Sequence, residues 1–199
     1  MSTDPDSFTK ESMSVNAKRW LGPVLALVVL GCGYNTIQTY DEQVSAALSQ
    51  IKVQLQRRAD LIPNLVSTVQ AYAKQERDIF TAVADARSRL SGAIQSGDPA
   101  QMADANQALN APLGRLLAIV ENYPQLKSNE NFRGLSDELA GTENRIAVSR
   151  QDYNDAVNRY NAYIRRFPQV LTAKVTGAKA RTYFQESANA DSVPKVKFN

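Results

Sequence analysis

Histidine is absent from the 199 residues, and cysteine occurs once, at Cys32. The first absence removes every site built on imidazole, including Ser-His and Cys-His nucleophiles, zinc-histidine centres and the Glu-x-x-His di-iron bundles. The second removes internal disulfides and cysteine metal clusters. The nine glycines are scattered, and no Gly-rich phosphate loop occurs. Strand-type alternation is missing outside VPKVKF at 193–198. Strong charge of one sign is missing too. The net charge is +3 with 22% charged and 43% apolar residues, an ordinary globular composition without the basic stripe that nucleic acid requires. No residue pattern points to a cofactor, a metal or a catalytic constellation.

What basic excess there is sits at the C-terminal end. Residues 165–199 hold Arg165, Arg166, Lys174, Lys179, Arg181, Lys195 and Lys197 against Glu186 and Asp191. Such a tail is either solvated or in contact with an anionic membrane surface or acidic partner.

The N-terminal region carries one long apolar run, WLGPVLALVVLGCGY at 20–34, preceded by Lys18 and Arg19. It is short for a span of roughly 20 residues and matches the core of a signal peptide. It ends in Val29, Leu30, Gly31 and Cys32, the order of a bacterial lipoprotein cleavage site. There the thiol accepts a diacylglycerol, and each buried methylene contributes about 0.8 kcal/mol. An uncleaved transmembrane helix extending through Ile37 is the competing reading. Both put the body outside the cytoplasmic membrane, because the positive charges precede the run and Asp41 and Glu42 follow it.

Beyond Ile37 the apolar positions step by 4 and 3. They read Ile37, Val44, Leu48, Ile51, Leu55, Ile62, Leu65, Val69, Tyr72, Ile79, Val83, Ala86 and Leu90. This is one helical stripe, with a kink or break expected at 61–63 because Pro63 removes a backbone bond. Arg58 and Glu76 fall on the seam. They either snorkel at its edge or, for Arg58, enter a polar layer with a carboxylate such as Asp60 or one on a facing helix. Asp98 reads as an N-cap with Pro99 at the first helical position. Met102, Ala105, Leu109, Leu113, Leu116 and Val120 form the next stripe, bent at Pro112 and stopped at Pro124. The last helix runs through Leu135, Leu139, Thr142, Ile146, Ser149, Tyr153, Ala156, Tyr160, Tyr163 and Phe167 to Pro168. Tyr153-Asn154 and Tyr160-Asn161 repeat at a spacing of seven, placing both asparagines on one flank of that helix.

The fold class is therefore all-α: an elongated antiparallel bundle of three to four long helices, kinked at Pro63, with a mostly irregular C-terminal tail. The organisation is 1–31 signal peptide or anchor, 32–168 helical bundle and 169–199 basic tail.

Several stretches resemble the LemA family: GCGYN at 31–35, QRRADLIPNLV at 56–66, VQAYAKQE at 69–76, ENYPQLKSNENF at 121–132, TENRIAVSRQDYNDAVNRYN at 142–161, IRRFP at 164–168 and the ending VPKVKF. The resemblance implies a membrane-anchored, all-helical bundle and supplies no established activity. The residues of these motifs that could meet a partner are Arg57, Arg58, Asp60, Asn64, Asn144, Arg145, Tyr153, Asn154, Tyr160 and Asn161. Asn64 also offers itself as a cap for backbone groups left unpaired by Pro63. The expected role is a non-catalytic scaffold or adaptor of the bacterial cell envelope, lipid-attached at Cys32, with an unknown envelope protein or a second copy as partner and no nucleic acid. A membrane-organising accessory whose basic tail lies on anionic lipid is the alternative.

Overall fold

A computed structural model describes the backbone of residues 8–185 and the side chains of residues 33–185. Cys32 and most of the apolar run therefore lie outside the described side chains, and VPKVKF lies outside the described residues altogether. The described part is helical, with no strand among its residues. The elements are α1 (Phe8–Gln70), α2 (Arg77–Ser96), α3 (Pro99–Ala118), a 3-10 turn (Ile119–Asn122), a short α4 (Pro124–Lys127), α5 (Glu130–Arg165) and α6 (Gln169–Thr176). Among the described residues, no helix is long and apolar enough to cross a membrane.

The chain falls into two compact units, and α1 and α5 each contribute to both. The larger comprises 44–157 together with the described residues from Thr182 to Gln185. Its core is Val44, Ile51, Leu55, Ile62, Leu65 and Val69 of α1 against Val83 and Leu90 of α2, Met102, Leu109 and Leu116 of α3, and Ile146 and Val157 of α5, all buried. The pairing is antiparallel. Along α1 and α5, Arg57 meets Glu138 while Gln54 meets Arg145, so one number rises as the other falls. Along α1 and α2, Lys52 lies beside Gly97 while Ala59 meets Arg87. Gly97 closes α2 at φ 72°, a left-handed conformation that L side chains rarely adopt. Asp98 then caps α3 as expected, accepting from Ala100 N at 2.8 Å and Gln101 N at 3.4 Å, with Pro99 opening the helix. Asn129 performs the same service for α5, its Oδ1 accepting from Phe132 N at 3.0 Å.

Two corrections concern the first stripe. Helix α1 runs unbroken through Pro63, and the interruption comes later, in the turn at 71–76. The register shifts there: Ala73 and Phe80 are buried where the stripe called for Tyr72 and Ile79, and Tyr72 is exposed. Helix survives at Pro63 because the lost bond is replaced. Proline 63 cannot donate to the carbonyl of Ala59, one turn back, and that residue is fully buried. Arg87 Nε of α2 donates to this carbonyl at 2.7 Å. Asn64, expected to serve as the cap, is exposed instead.

The smaller unit holds α1 up to Gln43, α5 from Asn158, α6 and the chain after it up to Arg181. Ile37, Tyr160, Ile164 and Ala173 are buried in it, and Tyr40 meets Tyr163 edge-on at 5.2 Å between ring centroids. Phe167, expected on the buried seam, is 76% exposed. The chain leaves α5 there through a cis Phe167–Pro168 bond and begins α6. The tail is thus helical at 169–176 and irregular from 178 to 185, and it is packed: Phe184 is 1% exposed.

Replacing Arg87 by Ala should orphan the Ala59 carbonyl and cost about 1–3 kcal/mol in chemical denaturation. Adding Pro63→Ala restores a backbone donor, so the double variant should recover part of that loss; strict additivity would show that the bond does not serve this purpose.

Candidate functional site

Two clusters of polar side chains are built into the fold, one in each register that the sequence marks out. The first surrounds Arg58, which is 3% exposed on the core face of α1. Its Nη1 donates to Asn106 Oδ1 at 2.7 Å and its Nη2 to Asn110 Oδ1 at 2.8 Å, both on α3. Glu143 of α5 lies 2.7 Å from the same Nη2. Arg58 therefore forms a polar layer across three helices, and its carboxylate comes from a facing helix rather than from Asp60. Burial pushes its guanidinium below the ordinary value, and the charge of Glu143 opposes that. Arg58 Nε and the buried hydroxyl of Ser136 find no protein partner. Beside them lies a small cleft of about 300 Å³ lined further by Leu113, Leu117 and Leu139. Asn106, itself buried, was missed from sequence because Ala105 also fits the apolar stripe. The signal was present: Asn106 stands four after Met102 and three before Leu109.

The second cluster uses the repeated Tyr-Asn pairs of α5. In the larger unit, Asn154 Nδ2 donates to Phe184 O at 3.2 Å, and Phe184 N donates back to Asn154 Oδ1 at 2.8 Å. Tyr153 Oη donates to Thr182 O at 2.8 Å. Phe184 packs edge-on to Tyr153 at 6.4 Å, with the Arg150 guanidinium 5.5 Å from its ring centre. In the smaller unit, Asn161 Nδ2 donates to Arg181 O at 2.9 Å, and Arg181 N donates to Asn161 Oδ1 at 2.8 Å. Each carboxamide thus pairs with both backbone groups of one residue, as a neighbouring strand would. Arg181 closes a two-pronged pair with Asp41 of α1 at 2.8 Å per prong. Burial first, and then Asp41, push the nearby Tyr160 phenol above its ordinary value of 10, while Arg181 pulls it back.

The remaining candidates stand outside these clusters. Arg57 and Arg145 meet on Glu138, at 2.8 and 2.7 Å. Asp60 accepts from Gln56 at 2.8 Å, and Asn64 and Asn144 are exposed. Arg57, Asp60 and Asn64 share one face of α1 and line an open groove with Val53, Leu61 and Ile94. Among the described residues, no three Asp, Glu or Cys side chains converge in a way that could hold a metal ion.

Arg58→Ala should cost about 3–5 kcal/mol, because Asn106 and Asn110 lose a charged donor inside the core. Arg58→Met with Asn106→Leu should recover most of it, as measured by urea denaturation; Glu143→Gln, at a half-exposed carboxylate, should cost less than about 1 kcal/mol. The neutral Tyr160 phenol is favoured by folding, so its contribution is intact below the ordinary value and lost as pH rises past it. Thermal midpoints should fall above about pH 10, and by less in Tyr160→Phe.

The chain aligns with magnetosome proteins MamQ 1 and MamQ 2 of Paramagnetospirillum magneticum, each 32% identical over 208 residues, covering 86% of this chain and 76% of the relative. Magnetosome protein MamQ of Magnetospirillum gryphiswaldense is 29% identical over 195 residues, covering 86% and 72%. The LemA family profile matches residues 47–198, from within α1 to the penultimate residue, so the chain belongs to the LemA family.

Proposed function

We propose that this LemA-family protein is a non-catalytic scaffold or adaptor of the bacterial cell envelope. It is tethered through the apolar run at 20–34, with lipid on Cys32, and its body faces away from the cytoplasm. The observation that carries the reading is a division of labour among polar side chains. Buried Arg58 and Asn161 and half-buried Asn154 all bind the chain's own segments. Arg57, Asp60 and Asn64 form an exposed face along a groove with the 57%-exposed Val53, although Arg57 also pairs with Glu138 and Asp60 with Gln56. A groove rimmed by charge and floored by Leu61 and Ile94 suits a partner helix, from an envelope protein or a second copy. The names of the relatives attach them to an assembly, the magnetosome, which supports a structural role.

A photo-crosslinking residue at Val53 or Asn64 in the full chain, expressed in cells, should yield a discrete adduct of one size. The same yield from a buried-face position, or no adduct from either, would refute the docking face. Point variants serve as controls in the tail, because deleting 169–199 would remove buried Phe184. Cys32→Ser should abolish lipid attachment and leave an unprocessed precursor. A variant of unchanged mature length that resists alkaline carbonate would show a helical anchor in place of the lipid.

A further inference from the structure

We propose that α6 is a foot that lies in the membrane interface, with Phe167, Leu171 and Val175 seated among the acyl chains of an anionic bilayer. The inference rests on the anchored reading above and adds a second contact to it. Three observations within the smaller unit carry it.

The first is an outward apolar stripe. Leu171 and Val175 stand one turn apart on α6, and Phe167 precedes them by the same interval. They are 48%, 81% and 76% exposed, while Thr172 and Ala173 occupy the buried side of the same helix. An eight-residue helix that uses one side to pack on the protein and presents Leu171 and Val175 on the other, with exposed Phe167 in the turn just before it, has the residue distribution of an interfacial segment.

The second is charge. No Asp or Glu occurs between 156 and 185, whereas Arg165, Arg166, Lys174 and Lys179 surround the stripe and are exposed. Their cationic heads can reach phosphate groups while the stems lie along the apolar boundary. Such a rim fits a surface of anionic lipid better than an acidic groove of a protein, because the stripe it frames is short and its apolar side chains are exposed.

The third is position. A side chain built on Gly33 would stand 3.3 Å from Thr172 Oγ1 and 3.6 Å from the Gln169 side chain. Helix α6 therefore packs directly on the backbone of α1, one residue past Cys32 and at the end of the apolar run. With an acyl tether on Cys32, α6 lies where the chain leaves the bilayer. Three apolar side chains bind lipid too weakly to anchor alone, but a second signal next to a first is effective. The foot would fix how the tethered chain leans on the surface.

The test uses the full chain carrying Trp20→Phe with Phe167→Trp, purified from membranes and reconstituted in phosphatidylethanolamine–phosphatidylglycerol vesicles whose acyl chains are brominated near the glycerol end. Trp20 is the sole native tryptophan, so the new indole is the only emitter. A blue-shifted emission that is quenched by the bromolipid and shielded from aqueous iodide supports the foot. Val175→Trp in the same background guards against local misfolding at Phe167 and should behave alike. Protein that resists alkaline carbonate yet leaves both indoles iodide-accessible and unquenched overturns the foot and leaves the tether standing. Shielding from iodide without bromolipid quenching, with dimer crosslinks through α6, also overturns it and assigns the stripe to a second copy. Release of the protein by carbonate overturns the tether itself.

Discussion

Arg87 of α2 and Asn154 and Asn161 of α5 answer the same demand. Backbone that cannot pair with itself must be given partners if it is to be buried, and an unmet carbonyl costs as much as a lost core contact. Helix α1 can pass through Pro63 only because α2 delivers a guanidinium to Ala59. The irregular stretch after α6 can bring Phe184 into the core only because carboxamides stand where a strand would otherwise be needed. Without these donors the core residues on either side would have the right apolarity and no way to close over the polar chain between them.

The Arg58 layer has a different use. A charged side chain with two amide acceptors from α3 and a carboxylate from α5 contributes little net stability compared with an apolar filling. It does distinguish one alignment of α1, α3 and α5 from the others, since a slip by one turn would bury a guanidinium against leucine. A heptad-like apolar stripe alone does not make that distinction, because successive turns of such a stripe are nearly equivalent.

Local features were readable from the sequence, and long-range ones were not. The Asp98 cap, the Met102 to Leu116 stripe and the Leu139 to Tyr160 seam all follow from residue spacing, and the structure keeps them except that Asn106 takes the core place expected of Ala105. The turn at 71–76 carries neither glycine nor proline, so nothing in the sequence marks it, and the stripe was extended through it with Tyr72 and Ile79 in the wrong places. Arg58 announced itself by sitting on a seam, but its partners lie 48 and 85 positions away and cannot be identified by periodicity. The Tyr-Asn repeat was visible as a flank of α5. What it holds was not, because one buried phenylalanine in a polar tail has no periodic signature.

The choice of arginine for the buried cation, in a chain with no histidine, has a physiological side. A guanidinium keeps its proton across the whole range in which imidazoles and carboxylates exchange theirs. On the extracytoplasmic side proposed above for the body, acidity follows the surroundings and is poorly buffered by the cell. A helix register secured by a charge that does not come and go would hold its alignment through such swings, where a buried histidine would have made the same assembly an acid sensor.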